Sequence, residues 1–99
     1  MYLLVIEFKV ELEWSKSLKE KRSTKLSLIE KLRKNFNLNL SEVGYSDDIK
    51  ILNLGISVVN GNMEILKNLD LKLKNYIENN AEGNLFFYNS AFLNWSWER

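Results

Sequence analysis

Apolar and polar residues alternate along the first stretch of the chain. The even positions read Leu4, Ile6, Phe8, Val10, Leu12 and Trp14, and the odd positions from 7 onward read Glu7, Lys9, Glu11 and Glu13. A period of two belongs to a strand with one buried and one wet face, so residues 2–14 are predicted as the first strand. Leu3 and Val5 add apolar area to the wet face. The period then changes. Ser17 followed three residues later by Glu20 has the form of a capping box, each side chain serving the other's backbone amide. Beyond it Leu18, Ile29, Leu32 and Phe36 share one side of a 3.6-residue wheel, flanked by Leu26 and Leu28, which predicts a helix ending near Phe36. Lys25 also projects onto this stripe, and Lys21 and Arg22 border it. Either the first turns overhang the core, or the stems of Lys21 and Lys25 lie along apolar surface with their ammonium groups in water.

The rest of the chain repeats this grammar. Residues 38–43 (LNLSEV) read as a short second strand, and Gly44 to Asp48 as a turn or irregular loop. Residues 51–59 (ILNLGISVV) read as a third strand, with Leu52, Leu54, Ile56 and Val58 on one face and Asn53, Gly55 and Ser57 on the other. Asn60, Gly61 and Asn62 stop it and cap a second helix over residues 63–79, whose stripe is Leu66, Leu69, Leu73, Tyr76 and Ile77, with Ile65 beside it. Residues 81–84 break that helix, and residues 85–95 form an aromatic-rich last strand with a bend expected near Asn89 and Ser90. The order β-α-β-β-α-β predicts an α+β fold of the ferredoxin-like kind, a four-stranded antiparallel sheet with two helices on one face. At 99 residues the whole chain, 1–99, is expected to form a single domain.

Charge changes the picture more than composition does. Ser15 to Phe36 holds eight basic residues against Glu20 and Glu30, a net +6; the remainder holds six basic and eleven acidic residues, a net −5. The formal net charge of +1 conceals a strongly dipolar molecule. Such a run is either a solvated helix face or a surface that tracks phosphates through Lys16, Lys19, Lys21, Arg22 and Lys25. Reading of bases by stacking needs aromatic side chains on the open sheet face. The predicted face shows Glu7, Glu11, Glu13, Asn53, Gly55 and Ser57 instead, so contact by shape and phosphate is the expectation.

Cysteine and histidine are both absent. That removes thiolate nucleophiles and thiolate-bound metals, the usual general base and the commonest metal ligand. Alternate strand positions stand about 7 Å apart, so Glu11 and Glu13, and still more Glu7, are too far apart to share one cation without help from a partner strand. Asp47 and Asp48 are read as turn residues, and Asn60 to Asn62 as a cap rather than a phosphate loop. The expectation is a protein without catalytic residues, metal or cofactor. No apolar run approaches the roughly 18 residues of a membrane span, and the opening YLLVI lacks a signal peptide's flanks, so a cytoplasmic location is expected.

Ser17-Leu18-Lys19-Glu20-Lys21-Arg22-Ser23 resembles the SLKEKRS signature of the YlxP-like family, small bacterial proteins of unknown function. The likeness continues through Leu28, Ile29, Leu32, Arg33 and Phe36, through Ser41-Glu42-Val43, and through Leu54 to Asn60, so it covers most of residues 1–80. Thr24-Lys25-Leu26, Gly44-Tyr45, Asp48-Ile49 and the aromatic C-terminus depart from the family pattern. The resemblance implies the same β-α-β-β-α-β fold and supplies no catalytic residues. Through genes for translation and ribosome maturation that often neighbour those of the family, it implies a role near RNA or the ribosome.

Six of the twelve aromatics fall in the last strand and tail. Phe86, Tyr88 and Phe92 alternate with Leu85, Phe87 and Leu93, so both faces of the strand are apolar, and Trp95 and Trp97 follow. One face fills the core; the other either is covered by the chain's own tail or marks an interface. The expectation is a homodimer through Phe86, Tyr88, Phe92, Trp95 and Trp97, by edge pairing or by stacking of open faces. Two functions follow. One is contact with structured RNA or a ribonucleoprotein through the first helix; the other is a protein-interaction module acting through the aromatic edge.

Overall fold

Leu4, Ile6, Phe8, Val10 and Leu12 are all buried, as their alternation predicts. They form the midline of a computed structural model that describes residues 1–96. Its elements are β1 (Tyr2–Glu11), α1 (Leu18–Phe36), β2 (Asn39–Gly44), β3 (Ile51–Asn60), α2 (Met63–Asn80) and β4 (Asn84–Asn94). The strands form one sheet in the order β2-β3-β1-β4, every neighbouring pair antiparallel. This is the ferredoxin-like α+β arrangement. Both helices lie against one face, where Leu28, Ile29 and Leu32 of α1 and Leu66, Leu73 and Ile77 of α2 meet the even side chains of β1 and Leu52, Leu54 and Ile56 of β3. Burying each such side chain contributes about 1.5–3 kcal/mol.

The boundaries show what periodicity misses. β1 ends at Glu11, not at Trp14. Leu12 remains buried, its amide donating to the Lys50 carbonyl at 2.7 Å. Trp14 instead turns outward, and its indole N–H donates to the Glu82 carbonyl at 2.7 Å. Half of the capping box forms as expected: the Glu20 amide donates to Ser17 Oγ at 3.1 Å. The Glu20 carboxylate accepts from the Lys16 amide at 2.7 Å, one residue earlier than the Ser17 amide predicted for it. Asn37 closes α1 in the left-handed region at φ 52°, its amide donating to Arg33 O, a conformation asparagine tolerates. Asn62 caps α2 by accepting from the Glu64 amide at 2.9 Å.

β4 carries no bend at Asn89 and Ser90. Its irregularity is a bulge at Phe86: Lys9 lies opposite Phe87 and Val10 opposite Leu85, so Phe86 has no residue opposite it. The extra residue changes which face each side chain takes. Beyond the bulge, Tyr88, Ser90 and Phe92 point to the helix side with Phe8, Ile6 and Leu4, while Phe87, Asn89, Ala91 and Leu93 point to the open face. Asp70 of α2 holds the strand in place, accepting from Tyr88 Oη on Oδ1 at 2.7 Å and from Ser90 Oγ on Oδ2 at 2.9 Å.

Burial, then the hydrogen bond to Asp70 and its negative charge, push the Tyr88 phenol above its ordinary range. The fold therefore favours the protonated phenol. Its contribution to stability is complete below the unfolded-state value of about 10 and is lost as pH rises through and beyond it. Tyr88→Phe is expected to flatten the decline in stability above about pH 10, measured by denaturant unfolding across pH. At neutral pH the same substitution should cost about 1 kcal/mol through the lost hydrogen bond.

Candidate nucleic-acid interface

The five cations expected to track phosphates do not share a fate. Lys21 is 1% exposed. Its ammonium donates to the Tyr45 carbonyl, donates to the Asp48 carbonyl at 2.6 Å, and lies 3.5 Å from the Glu42 carboxylate. Neither sequence-based reading of Lys21 holds, because the charged head itself is buried. The reason lies across the sheet face: the loop between β2 and β3 offers two carbonyls, and Glu42 on β2 supplies the opposite charge. Lys25 is half-buried and donates to Glu42 Oε1 at 3.2 Å. A phosphate would have to compete with that carboxylate for Lys25, and it cannot reach Lys21. Both therefore leave the candidate surface as corrections to the expected set.

Lys16, Lys19 and Arg22 remain. All three are exposed, and none has a carboxylate within ion-pair distance among the described residues. Glu20, the nearest acidic neighbour of Lys19 and Arg22 in sequence, spends one carboxylate oxygen on the Lys16 amide. Arg33 and Lys34, outside the expected site, are also exposed. Arg33 is eleven residues from Arg22, which returns it to the same side of α1 about 16 Å along the axis. The signal for it was the wheel, which puts residues 19, 22, 26, 30 and 33 on one stripe. Leu26, expected to flank the core, lies in the middle of that outer stripe at 58% exposure. The outer surface of α1 is thus two cationic groups separated by Leu26 and Glu30.

Lys50 completes the loops beneath α1. Its ammonium donates to the Glu13 and Ser15 carbonyls at 2.7 and 2.9 Å. Asp48 Oδ1 accepts from the amides of Lys50 and Ile51 at 2.7 and 3.1 Å, so this carboxylate serves the turn. With Lys21 and Lys50 as ties, the start of α1 is fixed to both neighbouring loops. That rigidity is what holds Lys16, Lys19 and Arg22 in one arrangement.

The open sheet face differs from its prediction. Lys9 Nζ lies 4.6 Å from the Phe87 ring centroid and 5.2 Å from that of Tyr45. Two aromatic rings therefore stand where none was predicted. Phe87 lies opposite Lys9 and shares its face, and Tyr45 adopts φ 57° where the chain leaves β2. Glu7 and Glu11 flank Lys9 on the same strand, so the cluster sits in acidic surroundings that oppose phosphate. Of the residues expected at an interface, Phe86, Phe92 and Trp95 are exposed, whereas Tyr88 is half-buried against Asp70. Trp97 lies outside the described residues.

A family model described as protein of unknown function, DUF503, matches residues 3–89. The chain belongs to the DUF503 family. The DUF503 match runs from β1 to the middle of β4 and includes all of α1. No curated protein matches the chain.

The two kinds of α1 cation are separable by stability. Lys21→Met strands the Glu42 carboxylate and two carbonyls in a buried site and should cost about 3 kcal/mol, lowering Tm by on the order of 10–20 °C. Lys19→Met and Arg22→Met should stay within about 0.5 kcal/mol of the parent. Thermal unfolding of the three variants followed by circular dichroism checks both.

Proposed function

We propose that this DUF503 protein is a non-catalytic module that contacts structured RNA or a ribonucleoprotein through the outer face of α1. The observation that carries the reading is the exposed group formed by Lys16, just ahead of the Ser17 cap, and by Lys19 and Arg22 in the first two turns of α1. These three have no carboxylate partner among the described residues and sit at a helix start fixed by Lys21 and Lys50. Arg33 and Lys34 add a second contact point on the same helix. Point charges at these spacings recognise a phosphate backbone by position and shape. Lys19 and Lys16 contribute compact ammonium groups, and Arg22 a planar fork suited to bidentate phosphate contact. The likeness to YlxP-like proteins, with its link to translation, supports the same direction.

Fluorescence anisotropy with ribosomal RNA fragments, read across a salt titration, tests this. Each phosphate contact contributes roughly 0.7–0.9 to the slope of log affinity against log salt. The variant Lys16→Glu, Lys19→Glu, Arg22→Glu should lose at least about tenfold in affinity and lower that slope by about 2–3. All three positions are exposed and lie at or near the N-terminal end of α1, where negative charge is favoured by the macrodipole, so the fold should survive the change. Lys9→Ala, on the opposite face of the sheet, should bind as the parent does. Equal binding by parent and triple variant overturns the reading, as does parent binding that disappears above low salt.

A further inference from the structure

The two edges of the sheet are unequal. β2 is a six-residue edge with a register shift between Glu42 and Gly44, and Glu42 carries a charge. Shortness, bulging and charge are the usual protections of an edge strand. β4 is eleven residues long and contains no charged residue and no proline. It pairs with β1 on one side and has no partner strand on the other among the described residues. The ladder runs on past its end, where the Trp95 amide donates to the Met1 carbonyl at 2.8 Å. Phe86, Phe92, Leu93 and Trp95 are exposed along it. Asp70 fixes the strand from the helix side through Tyr88 and Ser90, so the edge is presented in one conformation.

The sequence of this edge is nearly its own mirror. Read outward from Asn89, NLFFYNSAFLN matches Asn84 with Asn94, Leu85 with Leu93 and Phe86 with Phe92, and sets Phe87 against Ala91 and Tyr88 against Ser90. A two-fold interface brings one patch against itself, so it requires self-complementarity. An antiparallel pair of β4 strands centred on Asn89 supplies it. Directly opposed residues in such a pair share a sheet face. Phe87 and Ala91 are both on the open face, and Tyr88 and Ser90 both on the helix face, so each large side chain would meet a small one. The bulge at Phe86 turns Leu85 to the helix side while Leu93 faces the open side. The in-register contacts are therefore those of residues 87–91, with the Phe86 and Phe92 rings closing over the ends.

We infer that the outer edge of β4 binds a second copy of this chain, β4 against β4 about a two-fold axis at Asn89, giving one continuous eight-stranded sheet. The surface is the same one that a protein-interaction role would use, and the inference stands apart from RNA binding.

The absence of cysteine makes the axis directly testable. In Asn89→Cys the two thiols would stand opposite one another at the Cα separation of cross-strand pairs, which lies within disulfide range. Mild oxidation should crosslink this variant nearly completely. Ala91→Cys should not crosslink to itself, because its copies lie four residues apart in register, about 13 Å along the strand. Mixed with Phe87→Cys it should give the heterodimer. Asn89→Lys would set two ammonium groups face to face on the axis, while in the monomer the new side chain lies opposite Glu7. Its sedimentation should be monomeric where the parent's is dimeric. A parent that is monomeric at every concentration overturns the inference. So does a dimer that persists in Asn89→Lys, or one that Val5→Glu dissociates while Asn89→Cys remains uncrosslinked, which would place the contact on the open sheet face.

Discussion

The arrangement of α1 depends on one buried ammonium. Lys21 is enclosed by two backbone carbonyls and one carboxylate, and a lysine is almost never fully buried without such company. Its partners come from the end of β2 and the loop that follows. A residue on the first helix thus fixes the irregular segment joining the second and third strands. Lys50 returns the connection, reaching from that loop to the carbonyls of Glu13 and Ser15 ahead of α1. Between them the two lysines bind the start of α1 and two loops, β1–α1 and β2–β3, into one end of the molecule. The most distinctive heptapeptide in the chain, residues 17–23, is therefore first a structural device. Ser17 caps the helix and Lys21 anchors it; only Lys19 and Arg22 among its cations look outward.

That division revises what the charge of α1 means. A net of +6 in sequence describes a chain; the surface describes something smaller. Lys21 and Lys25 are both turned to Glu42; Oε1 accepts from Lys25, while Oε2 is buried with no hydrogen-bond donor among the described residues and relies on the Lys21 ammonium electrostatically. The outward charge that remains lies in two groups with Leu26 and Glu30 between them. This is a sparser pattern than a continuous basic ridge, and it suits separate phosphate contacts better than a broad electrostatic sink.

The fold was legible because its periodicities are clean. β1, β3 and both helices keep their apolar positions in step, and the caps at Ser17 and Asn62 stand where the residue types place them. What escaped the sequence were departures by a single residue. A period of two cannot reveal a bulge, so alternation kept Leu85 on the face of Phe87 and Leu93 whereas the structure turns it to the helix side, and the meeting of Lys9, Tyr45 and Phe87 across the sheet was invisible. The wheel put Lys21 beside the apolar stripe correctly, yet nothing in it distinguishes a head in water from a head between carbonyls. That difference is set by a loop more than twenty residues away in sequence. Leu26 shows the converse, an apolar residue placed near the core by type and left outside by geometry.

The surfaces of the molecule relate to one another through the sheet. α1 lies on the β2 side, tied to Glu42, and α2 lies toward β4, tied by Asp70 to Tyr88 and Ser90. Because directly opposed residues in an antiparallel pair share a face, joining two chains at β4 keeps all four helices on one side of the continuous sheet. The two α2 helices would flank the axis and the two α1 helices would stand further out, each showing the same cationic stripe in the same direction. If the outer face of α1 contacts phosphates as proposed, two such stripes fixed in one body would act on a single polyanion with the advantage of high effective concentration, provided the polyanion spans both. A rigid edge would then give a sparse pair of cationic groups an affinity that neither copy has alone. The acidic strand face with Glu7 and Glu11 would be turned away on the far side.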